Sequence, residues 1–266
     1  MEVQTADLDS PAVCSGNPCR ATSNISIRPP SALPLFPDIV SSPVTAEGML
    51  PLVLDSEAVE LHAMRALYWP RQRTLFVADV HLGKGAAFRA GGIPLPRGAT
   101  ATDLARLSAL IDKTGAAALV VLGDFLHAAS GRVEALDIAF CAWRTRHADV
   151  AMTLVRGNHD AHAGDPPPAW RVDVVTEPHA FAPFLGCHHP ARPATGYALC
   201  GHLHPGTWLG GAAEPSVRLP CFVLGRRRAI LPAFGRLTGL WMVDPEPGDR
   251  LVAIAGSRLF AMPGRG

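Results

Sequence analysis

Five short blocks of this sequence carry side chains that could bind metal ions. Each follows an apolar stretch, which places it where a β-strand should run into a loop. The side chains are carboxylates, imidazoles and one amide, a mixture that suits Mn²⁺, Fe or Zn²⁺. The blocks are Asp79-Val80-His81, Gly123-Asp124, Gly157-Asn158-His159-Asp160, Cys187-His188-His189-Pro190 and Gly201-His202-Leu203-His204. Five such blocks in this order predict a two-metal centre that hydrolyses phosphate esters.

The first two blocks have the spacing of shared metal ligands. In extended backbone Asp79 and His81 point the same way, so both could reach one cation. Gly123 allows the chain to turn, and the two oxygens of Asp124 could bridge cations roughly 3.5–4 Å apart. Either block alone is common in ordinary turns. The prediction therefore depends on the blocks occurring together.

The third block is the most specific of the five. The Asn158 amide is a neutral ligand, whereas its neighbour His159 could reach the substrate. Asp160 could hold the His159 ring and keep it protonated as a general acid. An Asn-His turn is the alternative, and it is weakened because the block follows a third buried strand. We therefore expect His159 and Asp160 to be catalytic.

The last two blocks supply histidines. Neighbouring residues in extended backbone face opposite sides, so only one of His188 and His189 should bind metal, and the residues alone leave this choice open. His202 and His204 are two residues apart and could both face the site. Cys187 should point away from the site into the core.

Three further basic groups could contribute. Lys84 lies three residues after His81, where a cation could bind a substrate phosphate, and a solvated lysine is the alternative. His127 could orient a metal ligand or cap its own loop. The arginine run at 226–228 could contact a nucleic-acid backbone, although a charged turn between strands is favoured.

Bulk composition limits the class of protein. The 266 residues are 48% apolar, enough for one large domain with a substantial core. A formal net charge of +1 excludes a globally basic protein, so any nucleic-acid contact must be local. No apolar run approaches the ~20 residues that span a membrane, and the N-terminus lacks the pattern of a secretory signal. Four of the six cysteines fall in apolar segments as reduced core residues, and together these features predict a soluble cytoplasmic protein.

The chain divides into two regions of different composition. Residues 1–48 are rich in Pro, Ser, Thr and Ala without periodicity, which predicts a disordered N-terminal tail. Residues 49–266 should form a single domain that carries all five blocks.

Buried strands alternate with helices in the first half of that domain. The predicted strands are 74–78, 117–122 and 150–155, and the predicted helices are 101–113 and 133–147. This alternation is typical of parallel βαβ units, whereas the later strands, without helices between them, should make a sheet that turns antiparallel. The predicted fold class is α/β, as a four-layer α/β/β/α sandwich with mixed sheets. Ligands in such folds gather where strands run into loops.

The five blocks together resemble the calcineurin-like metallophosphoesterase superfamily, whose pattern is D-x-H, G-D, G-N-H-D, a later histidine and G-H-x-H. The likeness spans roughly residues 79–204 and implies a metallophosphoesterase domain with two divalent metal ions. Manganese is the metal expected, with iron or zinc as alternatives. The implied ligands of the first ion are Asp79, His81, Asp124 and His204. The implied ligands of the second ion are Asp124, Asn158, His188 and His202.

The same resemblance assigns two open roles. His188 is preferred to His189, because the superfamily usually has His-x-Pro there and Pro190 fits that frame. His159 would stabilise the phosphate and protonate the leaving group.

A narrower likeness covers about residues 50–262. The segments ADVHLGKG at 78–85, GHLHP at 201–205 and LPAFG with a following TG at 231–239 resemble the bacterial ligase-associated DNA damage response phosphoesterases of the PdeM type. Members of that family are described as DNA endonucleases encoded near an ATP-dependent DNA ligase, an exonuclease and a helicase. The likeness implies DNA as substrate, a role in DNA repair and a functional link to those three proteins. One departure is Gly83, where many relatives carry Glu.

Two other functions compete with a DNA phosphodiesterase. A small-molecule phosphodiesterase, phosphatase or nucleotide-sugar pyrophosphatase would share the metal chemistry but favour a narrow, capped pocket. No long insertion that could build a cap separates the blocks, and either of the long loops expected at 84–100 and 161–183 could form a rim. A non-catalytic scaffold would usually lose ligands, and all of them are present here.

Overall fold

The computed structural model describes residues 48–210 and 216–262. Apart from Gly48, the predicted disordered tail at 1–48 lies outside the described residues, and its disorder stays a prediction. Among the described residues, no helix is both long and apolar enough to cross a membrane.

The first half of the described chain forms a seven-stranded sheet. Its strands are β1 (Met49–Leu54), β2 (Glu57–His62), β3 (Ala66–Trp69), β4 (Thr74–Val77), β5 (Ala118–Leu122), β6 (Ala151–Val155) and β7 (Asp173–Val175). They follow one another in order across the sheet, antiparallel from β1 to β4 and parallel from β4 to β7. The carboxyl ends of β4, β5 and β6 therefore meet at one edge.

Two long helices pack on this sheet. The α-helices of the described residues are α1 (Lys84–Ala90), α2 (Ala99–Thr114), α3 (Glu134–Arg146) and α4 (Asn158–Ala163), with 3₁₀ turns at Pro70–Gln72, Ala129–Gly131 and Pro168–Trp170. In α2, Leu104, Leu107 and Leu110 recur at helical spacing and are buried. Phe140 and Trp143 form the corresponding stripe of α3. These side chains share one core with strands β4 to β6.

The later part of the chain forms a second sheet. Its strands are β8 (His179–Phe181), β9 (Phe184–Gly186), β10 (Tyr197–Cys200), β11 (Pro205–Leu209), β12 (Val217–Leu224), β13 (Arg228–Ile230), β14 (Trp241–Met242), β15 (Arg250–Ala255) and β16 (Arg258–Ala261). The order is β14-β11-β12-β13-β10-β9-β8, with β15 also paired to β12 and β16 paired to β15. Parallel and antiparallel pairs both occur, and β9, β10 and β13 are parallel neighbours.

Aromatic side chains join the two sheets face to face. The Trp69 and Phe184 rings are 5.0 Å apart, and the Phe76 and Phe181 rings are 5.6 Å apart. Gly186 leaves room for this packing, because a Cβ there would lie 2.6 Å from the Phe181 ring. The predicted α/β sandwich with two mixed sheets is confirmed.

Two segments predicted as long loops contain regular structure. Residues 84–100 begin with α1, and residues 161–183 include the end of α4, a 3₁₀ turn and β7. The α1 sequence KGAAFRA has no apolar stripe, so hydrophobic periodicity could not reveal it. Its start is instead set by the left-handed backbone of Gly83, at φ 79°.

Candidate metal centre

The loops after β4 and β5 place the first two blocks side by side. These strands are parallel neighbours, and their backbone pairing continues beyond the last strand residues. The Asp79 N–H donates to Gly123 O at 3.1 Å, and the His81 N–H donates to Asp124 O at 2.8 Å. Since the third block follows β6, all three lie at the same edge of the first sheet.

The last two blocks reach this edge from the second sheet. They follow the parallel neighbours β9 and β10, and the Gly201 N–H donates to His188 O at 3.0 Å. The His202 N–H approaches both carboxylate oxygens of Asp79, at 3.1 and 2.9 Å. The candidate site therefore lies where the two sheets meet.

Five of the seven predicted metal ligands have a left-handed backbone. The φ angles are 53° for Asp79, 50° for His81, 50° for Asp124, 72° for His202 and 47° for His204. Such angles are costly for residues with a Cβ, and they concentrate at functional sites. The expectation that the paired ligands converge through extended backbone is therefore wrong. Tight turns aim these side chains into the site.

A first group of donor atoms comes from Asp79, His81, His204 and one oxygen of Asp124. His81 Nε2 is 3.3 Å from His204 Nε2 and 3.8 Å from Asp124 Oδ2. His204 Nε2 is 3.6 Å from Asp79 Oδ1. Ligands that each lie about 2.0–2.2 Å from one ion are separated by roughly 2.9–3.5 Å, so this group is close to the size that a metal ion needs.

A second group comes from the other oxygen of Asp124 together with Asn158, His188 and His202. His188 Nε2 is 2.8 Å from Asn158 Oδ1 and 3.4 Å from Asp124 Oδ1. His202 Nδ1 is 3.0 Å from His188 Nε2. The structure therefore brings all seven predicted ligands together, in the two sets that the sequence resemblance implies.

The hydrogen bonds of His188 show that this second group fits a cation. Its Nδ1 lies 3.1 Å from Leu122 O, which can only accept, so Nδ1 carries the ring proton. In a neutral ring, Nε2 then presents a lone pair to the oxygens of Asn158 and Asp124. A cation would satisfy these facing lone pairs. A ring N–H on a backbone carbonyl is also the usual second contact of a metal-binding histidine.

Asp124 lies between the two groups. Its Oδ2 faces His81 and its Oδ1 faces His188, and the residue is only 2% exposed. The His159 N–H donates to Oδ1 at 2.9 Å and fixes the orientation of the carboxylate. A buried carboxylate with one oxygen toward each donor group could bridge two metal ions.

His188 and His189 both lie near His202, but they differ in burial and in hydrogen-bond partner. His188 is fully buried, whereas the His189 side chain is half exposed, and its Nδ1 lies 2.6 Å from Glu177 Oε1. The Glu177 carboxylate also accepts the backbone N–H groups of His188 and His189, at 2.6 and 2.9 Å. Glu177 thus positions the His188 backbone. Sequence reasoning missed it, because a lone glutamate before a proline carries no signal.

The role expected for Asp160 is wrong in its contact. The Asp160 carboxylate does not hold the His159 ring but accepts the backbone N–H groups of Leu126 and Gly157, at 2.8 and 2.9 Å. His159 Nδ1 instead lies 2.8 Å from the carbonyl oxygen of His127. Asp160 is fully buried at the start of α4, where a carboxylate caps free N–H groups, and so it fixes the turn that carries Asn158 and His159.

His127 lies beside the donor groups, as one of its two predicted roles requires. Its ring stacks on His159 with centroids 4.9 Å apart, and its Nδ1 is 3.4 Å from His81 Nδ1. Burial, together with the charges of Lys84 and His159, lowers the pKa of His127 to about 4. Burial also lowers the pKa of His81 and of His202. These rings are therefore neutral near pH 7, which is the form that binds metal.

Two motif glycines are required by close packing around the donor groups. A Cβ on Gly123, which has φ 79°, would lie 2.1 Å from His188 Nδ1. A Cβ on Gly201 would lie 2.8 Å from Leu122 O and 2.9 Å from Asp79 Oδ2. Larger residues at these positions would displace ligands of both groups.

The LPAFG segment supports Asp79 from the second sheet. The Phe234 N–H donates to Ala78 O at 2.8 Å, and the Gly235 N–H donates to Asp79 O at 3.0 Å. The Phe234 ring lies under the Arg106 guanidinium at 3.8 Å. This segment carries no metal-binding side chain, so its contribution is to hold the backbone of the first block.

Residues 72–208 match the family model described as calcineurin-like phosphoesterase, just over half of the chain. The chain belongs to this family. A solved structure titled as that of Pseudomonas putida nuclease MPE is similar to this phosphoesterase, with a TM-score of 0.70 and 39% sequence identity over 80% of this chain and 100% of the nuclease chain. No curated protein matches this chain. The phosphoesterase is thus a hydrolase that acts on phosphoester bonds.

Gly83, the departure noted in the sequence, has a steric cause in this phosphoesterase. A Cβ on Gly83 would lie 2.5 Å from Gly131 O, and a Cβ on Gly131 would lie 2.6 Å from Gly83 O. The two glycines therefore pack backbone against backbone. A glutamate at position 83 would require the 129–131 turn to move.

Lys84 follows this contact at the start of α1. Its side chain is half-buried, with Nζ 5.8 Å from the centre of the Phe88 ring. Burial lowers the pKa of Lys84 from its ordinary value of 10.5, whereas the charges of Asp124 and Asp79 act in the opposite direction. Lys84 and His81 line the same small cleft.

Proposed function

We propose that this protein is a metal-dependent phosphodiesterase that cleaves DNA through a dinuclear metal centre. The observation that carries the proposal is the position of Asp124, with one oxygen toward each of two donor groups. In this proposal the first ion is held by Asp79, His81, Asp124 and His204. The second ion is held by Asp124, Asn158, His188 and His202. Manganese is the metal we expect, with iron or zinc as alternatives, since the ligands mix oxygen and nitrogen.

The chemistry follows from the donor groups and from His159. Two bound divalent ions would supply the positive charge that holds phosphate oxygens and lowers the pKa of a water nucleophile. The Nδ1–H of His159 donates to His127 O, which leaves Nε2 facing the site 3.9 Å from Asp124 Oδ2. A protonated Nε2 at this position can donate to the leaving oxygen as a general acid. The His127 carbonyl holds the His159 ring for that transfer. The Asp160 cap fixes only the backbone turn that carries His159.

Lys84 is proposed to bind the substrate phosphate. Its position three residues after His81, with which it lines one small cleft, supports this role. Exchange of Lys84 for Gln should lower kcat/KM roughly 10- to 100-fold, the effect of losing a charged hydrogen bond. An unchanged kcat/KM for DNA would show that Lys84 is a solvated surface residue.

The nuclease neighbour supports nucleic acid as the substrate class. The sequence likeness to ligase-associated phosphoesterases supports a role in DNA repair, linked to a DNA ligase, an exonuclease and a helicase. Four free cysteines among the described residues support a reducing compartment, and we propose the cytoplasm. Recovery of the ligase, exonuclease or helicase with the tagged protein after DNA damage would test the repair link.

The decisive experiment compares two substrates. Protein reconstituted with Mn²⁺ is given bis-p-nitrophenyl phosphate, or single- and double-stranded DNA. The Asn158→Ala, His159→Ala double variant removes one ligand and the general acid. His179→Ala is the matched control, because His179 lies in β8 and belongs to neither donor group.

We expect cleavage of both substrates by the native protein and by His179→Ala, and a loss of both activities in the double variant. Cleavage of the small ester alone would keep the metal centre but move the substrate to nucleotides or nucleotide sugars. Full activity in the double variant would refute the proposed catalytic site.

A further inference from the structure

A pocket of about 460 Å³ opens beside the candidate metal centre. It shares two walls with the donor groups, because His202 and His204 both line it. The remaining described lining is apolar and comes from the GHLH motif and from the segment around β14. These residues are Leu203, Gly239, Leu240 and Trp241.

Trp241 is held next to a candidate metal ligand by the backbone. Its N–H donates to His204 O at 3.0 Å, and Trp241 is the register partner of Pro205 in the parallel β11–β14 pair. The side chain is nevertheless 68% exposed. An indole that is fixed through its backbone but left open to solvent is suited to stacking against a ligand.

The lining favours an uncharged group because it is mostly apolar, and the Trp241 indole favours a flat one. Among the described residues, no carboxylate, lysine or arginine lines the pocket, and its volume lies in the range of ordinary small-molecule sites. The pocket adjoins the donor groups. The part of the substrate that enters it would therefore be close to the phosphate that the metal ions would hold. In a DNA strand, the flat group nearest to a phosphate is a nucleobase.

We propose that this pocket binds a nucleobase that flanks the scissile phosphate, stacked on the Trp241 indole. The inference rests on the proposed DNA phosphodiesterase function and identifies the part of the strand that the enzyme binds beside the scissile phosphate. Because every base has a π-face and the pocket offers few hydrogen-bonding groups, stacking here tolerates any base sequence.

The test uses an end-labelled oligothymidylate with one abasic tetrahydrofuran residue at a known position. Cleavage at every phosphate is mapped on a gel with Mn²⁺-loaded enzyme, so the remaining phosphates of the same strand serve as internal controls. In the native enzyme, cleavage at a phosphate beside the abasic residue should fall roughly 5- to 150-fold relative to the others, the effect of losing one base stack.

Three variants separate stacking from a general loss of activity. In Trp241→Ala the dip, meaning the reduced cleavage beside the abasic residue, should disappear. Trp241→Phe should keep most of this reduction. Trp208→Ala is the matched control and should retain the native pattern, because Trp208 is 54% exposed in β11 but is absent from the described lining of the pocket.

Each outcome decides between the two proposals. Cleavage without a dip in the native enzyme, or a dip that persists in Trp241→Ala, would overturn the base-binding pocket and leave the phosphodiesterase intact. Absence of cleavage at every phosphate would overturn the base-binding pocket and, if double-stranded DNA is also left intact, the proposed cleavage of DNA. A change of oligomeric state in Trp241→Ala with an unaltered cleavage pattern would assign the indole to self-association and overturn the pocket.

Discussion

Replacement of Gly123 by alanine should disrupt the second donor group from a position that carries no ligand. The added Cβ would lie 2.1 Å from Nδ1, 2.4 Å from Cγ and 2.8 Å from Cβ of His188. These are the atoms of His188 nearest its own backbone, and the side chain is fully buried, so the ring cannot swing away. His188 or the β5 loop must therefore shift.

The size of the effect can be separated into two parts. Gly123 has φ 79°, and a Cβ in left-handed backbone costs roughly 1–2 kcal/mol. Overpacking against His188 adds roughly 1–3 kcal/mol. The free energy of unfolding should therefore fall by about 2–5 kcal/mol. Displacement of a ligand should also weaken metal binding by at least the roughly 10- to 100-fold seen when the support of a ligand is lost.

Gly248→Ala is the matched control. Gly248 has φ 89°, and no atom lies within 4 Å of the added Cβ, so this variant carries the backbone cost without the clash. Urea unfolding of metal-free protein gives the free energies, and titration of Mn²⁺ against phosphodiesterase activity gives the metal dependence. If Gly123→Ala matched Gly248→Ala within about 0.5 kcal/mol and kept the native metal dependence, tight packing of His188 on Gly123 would be refuted.

Removal of divalent metal with a chelator should lower the melting temperature, because the facing lone pairs of the donor groups would lose the cation between them. An unchanged melting temperature in calorimetry would contradict metal binding at this site. Asp160→Asn should reduce the free energy of urea unfolding by about 1–3 kcal/mol, because an amide can accept only one of the N–H bonds from Leu126 and Gly157; an equally stable variant would refute the cap. Burial lowers the pKa of His147 below its ordinary value of 6.5. As the pH falls, the unfolded chain therefore binds a proton at His147 before the folded chain does, so the free energy of unfolding decreases below about pH 6.5. His147→Gln in metal-free protein should therefore show a smaller loss of stability between pH 7 and pH 5 than the native protein, and an equal loss would contradict the assignment.

Much of the first sheet and the grouping of the candidate ligands at its edge could be predicted from the sequence. The strands at β4, β5 and β6 are short apolar runs, and α2 and α3 have apolar residues at helical spacing. Parallel neighbours end at one edge, so Asp79, Asp124 and Asn158 had to lie near one another.

The exact turns could not be predicted in the same way. Asp79 and His81 converge through left-handed backbone, which non-glycine residues rarely adopt and which no local pattern signals. Asp160 was expected to hold His159, because the two are neighbours in sequence. The start of α4 instead draws the carboxylate to free backbone N–H groups, a competition that depends on where the helix begins.

The backbone bonds from Phe234 and Gly235 to Ala78 and Asp79 have a consequence for synthesis of the enzyme. A ribosome makes the block at Asp79–His81 early, but the residues that hold its backbone emerge more than 150 positions later. These two backbone bonds can therefore form only after nearly the whole domain has been synthesised. A chain that ends at residue 230 lacks both bonds, so its first block should be held less firmly and its phosphoester hydrolysis should be slower than that of the full chain.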